Sequence, residues 1–462
     1  MNRLFSFSSR HRHGPQVAGP RAPRRAMTIV EMLVAMVVSL ILIFALVQVF
    51  ELIGESVSNA RAAIEMSSAL RNASHRIQED LEGITVPVRP WASSAGGQGY
   101  FEYTEFSEDD NTYAAADILN SRYGDLGDVI AFTTRSTGKP FVGRIRDTYV
   151  GGTTGNYVSI TSMVAEVIMW TQYDDLNGSN TRDPGEPSDL HRRVLLVRPD
   201  INGLGADPQI IDSAGNRPNS VTNFILENDI SVHMHYDSAG RRVGVKASSL
   251  TDLTNRRHRF IHHAKIYPYP MALTSDSFWP TYPASSPDYG RDILLSDVMA
   301  FDIRVYDPLA VIRTGTDVDG NTIALSPGDP GYAASAASAT PPRGAFVDLG
   351  YESAAFPTPP QMPTSHFSHG ANPKSRCGLP MYCTWTAHFE SDGVDQDQDG
   401  VVDEGTDGLD NDGVNGVDDA GERETAPPYE HPLRGLQITL RVYEPDTRQI
   451  RQATVVSDFT PE

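Results

Sequence analysis

Between Asp392 and Glu424 the chain carries thirteen carboxylates and a single basic residue, Arg423. So dense a cluster of like charge repels itself, and it folds compactly only where cations neutralise it. The spacing suits a hard cation with oxygen ligands. Asp395, Asp397 and Asp399 alternate, Gly400 supplies a sharp turn at the sixth position, Val401 offers its carbonyl at the seventh, and Asp403 falls at the ninth. These are the positions of a calcium loop. The twelfth position is Thr406 instead of a bidentate glutamate, with Glu404 and Asp407 near enough to substitute. Asp407, Asp410, Asp412, Asn415, Asp418 and Asp419 offer a second, shortened loop. The expectation is structural calcium with dissociation constants of about 10⁻⁴–10⁻³ M, because hard ligands on a glycine-rich loop leave no open catalytic position. Two weaker acidic runs, Asp174 to Gly178 with Asp183 and Glu186, and Asp317 to Asn321, are either further sites or plain turns.

A second carboxylate stands out by its surroundings. Glu31 sits near the start of an apolar run, and from Met32 to Phe50 the only polar residues are Ser39 and Gln48. That length reaches the roughly 20 residues a helix needs to cross a bilayer. A charged side chain in such a span costs on the order of 2.5–3.5 kcal/mol, so Glu31 asks for a partner. Six arginines and no acid precede the run in residues 1–26, which places the N-terminus in the cytoplasm and the acidic body outside. That leader is long, and the apolar run exceeds the 7–15 residues of a secretory signal.

The elements that position Glu31 follow from the same stretch. Glu51 to Leu81 lacks proline and holds one glycine, Gly54, so the helix continues beyond the membrane. Apolar residues at Ile53, Val57, Ala60 and Ile64, then Met66, Leu70, Ala73, Ile77 and Leu81, form one stripe that must bury against something. The whole rod from Met27 would be roughly 80 Å long.

The N-terminal segment resembles type IV prepilins and type II secretion pseudopilins. They carry a basic leader, a small residue, a cut, a hydrophobic residue, and a glutamate fifth after the cut. The resemblance implies a leader 1–26, processing by prepilin peptidase between Ala26 and Met27, and an assembly role for Glu31 against the N-terminal amine of another pilin or pseudopilin. Ala26 stands where the family usually has Gly, and Met27 where it has Phe; both keep the size class. The implied fold is α+β: a transmembrane helix over 27–50, an amphipathic stalk over 51–82, and a large antiparallel β-rich head over 83–462. The acidic segment is similar to the loops of EF-hands and thrombospondin type 3 repeats, without evident flanking helices.

Within the head, Ile225 to Asp237, Leu294 to Asp307 and Gly435 to Glu444 each alternate apolar and polar residues and end in Tyr-Asp or Tyr-Glu, which predicts strands of one design. They resemble strands of J-type pseudopilins and W-like minor pilins, with a terminal hairpin over Pro432 to Phe459 turning at Glu444 to Arg448. Residues 327–380 are dense in Pro, Gly, Ala and Ser and predict a loop. Cys377 and Cys383 either close a small disulfide in an oxidising compartment or remain two thiols.

Net charge is −21, and removing a leader of six arginines and no acid takes it to −27, which disfavours nucleic acid as a partner. The chain has no GxSxG, HExxH, P-loop or GxGxxG sequence. His233 and His235 would share a strand face, while His258, His262 and His263 stand near basic residues; such histidines are usually packing residues. Arg256, Arg257 and Arg259 predict a salt-bridging patch. The functional expectation is a non-enzymatic minor pseudopilin in the inner membrane with its head in the periplasm. A W-like type IV minor pilin, or an anchored calcium-stabilised ectodomain with a binding or hydrolytic head, are the alternatives.

Overall fold

The structure is a computed structural model and describes residues 28–91, 97–105, 126–173, 188–204, 208–237, 240–262, 282, 286–316, 320–329, 331–332, 334–335, 338–351, 365–369, 380–397, 399–445 and 447–459. Ala26, Met27, Cys377, the run from Asp174 to Glu186 and residues 317–319 lie outside the described residues. The proposed Cys377–Cys383 pairing, the first weaker acidic run and residues 317–319 of the second fall there; Cys383 itself is buried.

A single helix, α1 (Ile29–Glu82), runs through the proline-free stretch. The chain divides after Arg61 into two compact units. In the first, α1 is bare: Leu33, Ile41, Phe44 and Phe50 are each more than 60% exposed. Among the described residues it is the one helix long and apolar enough to cross a membrane. In the second, Met66, Leu70, Ala73, Ile77 and Leu81 are buried. The predicted stripe is therefore buried only from Met66 onward, while Ile53, Val57 and Ile64 are exposed.

Among the described residues the strands are β1 (Phe101–Thr104), β2 (Val129–Arg135), β3 (Phe141–Arg146), β4 (Tyr157–Ser162), β5 (Val164–Tyr173), β6 (Ser188–Leu196), β7 (Val232–Tyr236), β8 (Arg242–Ala247), β9 (Ile293–Leu295), β10 (Val298–Val311), β11 (Arg313–Thr316), β12 (Thr322–Leu325), β13 (Arg343–Val347), β14 (Met381–Cys383), β15 (Gly435–Glu444) and β16 (Gln449–Asp458). Two short helices, α2 (Val221–Glu227) and α3 (Leu250–Thr254), flank β7 and β8 in sequence. Six strands form an antiparallel sheet in the order β14-β1-β2-β5-β6-β9, and four form another in the order β13-β10-β15-β16. The head is thus antiparallel and β-rich, and with α1 the class is α+β.

Burial explains the two kinds of strand sequence. In β2, Ile130 and Phe132 join the apolar cluster that holds the α1 stripe, while Val129 and Ala131 join a second cluster with α2, β7 and β8. A sheet covered on both faces needs apolar residues at successive positions, and β2 and β5 have them. In β15, Leu436, Ile438, Leu440 and Val442 are buried and the residues between them are not, as a strand with one wet face requires.

Two strand expectations need correction. Only Val232–Tyr236 of the run from Ile225 to Asp237 is a strand. Its start belongs to α2, whose N-cap Ser220 accepts a hydrogen bond from the Asn223 amide and whose Val221, Phe224 and Ile225 are buried at helical spacing. β7 pairs with β8 in a separate two-stranded sheet, whereas β10 and β15 pair with each other. Residues 327–380 are not all loop, since β13 lies within them and pairs with β10, Val347 opposite Val305.

Two buried charge clusters tie these layers together. At the end of α1, Arg192 of β6 holds the Asp80 carboxylate through two hydrogen bonds, at 2.6 and 2.8 Å, and Thr134 donates to the Asp80 carbonyl. On β1, buried Glu102 accepts from Arg259 at 2.7 Å and lies 3.3 Å from Arg256, with His262 Nε2 at 2.7 Å. Burial alone would raise the Glu102 carboxyl, but the His262, Arg256 and Arg259 charges outweigh it and hold it well below the usual range. Arg256 and Arg259 of the basic run are thus buried ion-pair partners.

Candidate functional site

The acidic segment is pinned at its base before it forms loops. Past β14, Trp385 and Phe389 pack with Met381 and Cys383 in a small apolar cluster, and the turn Ala387–Ser391 delivers Glu390 beneath the segment. The buried Glu390 carboxylate accepts from the Glu424 amide at 3.0 Å and from the Thr425 hydroxyl at 2.8 Å, while Thr406 donates to the Glu390 carbonyl. Entry, middle and exit of the segment thereby meet at one residue. Arg423 lies over the Trp91 ring at 4.1 Å, which closes the cluster from outside.

Above this base the first loop folds through its own carboxylates. The Gly400 amide donates to Asp395 Oδ2 at 3.0 Å, Asp399 to Asp397 Oδ1 at 3.2 Å, and Val401 to Asp399 Oδ1 at 2.8 Å. Gly400 has φ of 102°, a conformation open to glycine and strained for other residues. One carboxylate oxygen from each of Asp395, Asp397 and Asp399 lies within 4.8 Å of the others. Glu404 is buried beside them, and burial together with the charges of Asp399, Asp397 and Glu424 pushes its carboxyl up to about 7. Asp403 is occupied differently: it accepts from the Asp392 and Gly393 amides at 3.0 and 3.1 Å, and its own amide donates to Glu424.

A second group stands beside the first. Asp410, Asp412 and Glu422 bring oxygens within 4.8 Å of one another. Glu422 holds the loop by accepting from the amides of Asn411, of Asp412 at 3.3 Å and of Asp419 at 3.0 Å. Asp407 accepts from the Leu409 amide and the Asn411 side chain, and Asp418 from the Gly408 amide. Glu422 is absent from the ligand set read from the sequence, because it enters from the far side of the loop, outside any local repeat. The donor chemistry fits a hard divalent ion: each triad supplies carboxylate oxygens alone, and a cation beside Glu404 would relieve the crowding that holds its proton.

At the other end of the chain, Glu31 lies in the first turn of α1. Its carboxylate accepts from the Thr28 amide at 2.9 Å and from the Thr28 hydroxyl at 3.1 Å, while its own amide donates to Thr28 Oγ1 at 3.2 Å. This is a reciprocal capping box, legible in the sequence as Thr28-Ile-Val-Glu31. Glu31 therefore satisfies the opening of its own helix and remains exposed. Among family models, curated proteins and solved structures, none matches this chain.

Proposed function

We propose that this chain is a structural subunit, a minor pseudopilin of a type II secretion system. It is anchored through the apolar half of α1 with the β-rich head in the periplasm, and assembles through that half with other pseudopilins or pilins. The observation supporting this is the division of α1. Bare apolar side chains run from Ile29 to Phe50 and continue at Ile53, Val57 and Ile64. A bilayer covers roughly 20 helical residues, so this surface outruns lipid and suits cover by neighbouring helices. Prepilin peptidase would cut between Ala26 and Met27, giving Glu31 the amine of a neighbour as its partner. Calcium held by the two carboxylate triads would order residues 392–424. A W-like minor pilin is the same reading on a different machine.

The test is the N-terminal peptide mass of the protein matured in its own cells, together with Glu31→Ala. The proposal expects a methylated terminus at Met27, and a Glu31→Ala chain that is cut normally yet missing from filaments. A second reading, an anchored ectodomain working outside filaments, is favoured by the capping box, since Thr28 already answers Glu31 within one chain. An uncut chain, or filament incorporation unchanged in Glu31→Ala, would replace the first reading with the second.

A further inference from the structure

The β7–β8 hairpin and α3 bring together three side chains distant in sequence. His233 on β7 stacks on His258, which follows α3, with ring centroids 4.0 Å apart and planes 19° apart. Asp252 of α3 stands beside both, and one ring nitrogen of each histidine and one Asp252 oxygen lie within 4.8 Å of one another. We propose that His233, His258 and Asp252 form a binding site for a transition-metal ion of the Zn²⁺ class, separate from the carboxylate triads of residues 392–424.

The chemistry around the three groups supports this. Each histidine is oriented by a hydrogen bond on Nδ1: His258 to the Asp252 carbonyl at 3.0 Å, and His233 to the Ser248 hydroxyl at 3.0 Å. An imidazole that donates through Nδ1 presents its Nε2 lone pair, and a carbonyl or hydroxyl behind a metal-binding histidine is the usual second support. Asp252 Oδ2 is engaged by the Ser249 amide at 2.8 Å and hydroxyl at 2.6 Å in a capping box, which fixes the carboxylate. Its Oδ1 has Lys246 Nζ at 3.6 Å, longer than a hydrogen bond, and a bound cation would displace that ammonium. Two imidazoles and a carboxylate are ligands that suit Zn²⁺ and its neighbours better than Ca²⁺, with water completing four-coordination. Zn²⁺ bonds of about 2.0–2.2 Å call for a closer grouping than 4.8 Å, so binding would draw the three groups together. His235, two residues along β7, Lys246 opposite His233 on β8, Arg257 and His388 are the charged or titratable neighbours.

The full chain in detergent micelles, stripped with chelator and kept in excess calcium, is titrated with Co²⁺ and then Zn²⁺. The expected result is one equivalent of Co²⁺ with the visible bands of tetrahedral coordination, displaced by one equivalent of Zn²⁺. His233→Gln and His258→Gln should each abolish the bands, and Ser248→Ala should weaken binding roughly tenfold, as loss of an outer support does. The bands should survive when Asp395, Asp397 and Asp399 are all Asn. Absence of stoichiometric Co²⁺, bands unchanged in whichever histidine variant folds with a wild-type melting curve, or bands lost in the triple Asn variant would each overturn the assignment.

Discussion

Gly83, directly after α1, sits where a Cβ would fall 2.4 Å from the Arg135 carbonyl oxygen and 2.4 Å from Thr134 Oγ1. Backbone is the obstacle, so Gly83→Ala should cost roughly 1–3 kcal/mol in urea unfolding of the head, as overpacking does; an unchanged midpoint would contradict this close approach. Buried histidines make a second prediction. Burial, with Arg256 nearby, lowers His262 to about 4, and burial with Arg259 and Arg257 lowers His388 to about 3. Both groups bind fewer protons folded than unfolded, so their contribution is complete above the ordinary histidine pKa of about 6.5 and is lost as pH falls toward 4. Glu102, held low, adds a loss below about 4.5. Glu404, pushed up to about 7, works in the opposite direction over this range, so the histidine share is read by difference: from pH 6.5 to pH 4 the urea midpoint of His262→Gln, which still offers Glu102 a donor, should lose less than that of the wild type. An identical pH dependence in the variant would remove His262 from the account.

Elements differ in how much of them the sequence discloses. β10 and β15 are legible as alternation because one face of their sheet is wet; β2 and β5 carry continuous apolar runs that alternation misses, because both faces are covered. The run beginning at Ile225 misleads because Val221, Phe224 and Ile225 are spaced for a helix but end against a strand. In the acidic segment, Asp395, Asp397 and Asp399 follow from local spacing, whereas Glu422, Glu424 and Glu390 are supplied by chain return and are invisible to any repeat. That division sets the test for calcium. At a hundredfold its dissociation constant, one ion bound only to the folded state adds about 2.7 kcal/mol. Melting the protein in calcium and in chelator should show such a gain, with Asn at 395, 397 and 399 removing one share and Glu422→Gln another. No calcium-dependent shift would dismiss both loops as ion sites.

At the scale of the molecule, a chain beginning at Ala62 retains the buried stripe from Met66 to Leu81 and, among the described residues, loses only bare helix. It should be soluble, monomeric and cooperatively folded by calorimetry, whereas a chain beginning at Glu82 should aggregate, because it opens the cluster those five residues fill. Equal behaviour of the two would mean that the stripe contributes little to the head. The clasp at Asp80 has a mechanical consequence. The last turns of α1 lie within the head, where Arg192 grips Asp80 through two bonds side by side, so a load on those turns must break both. Bonds stressed in parallel share tension and yield together, unlike a row that peels one by one. The end of the helix is thus fastened to β6 at two points that yield together.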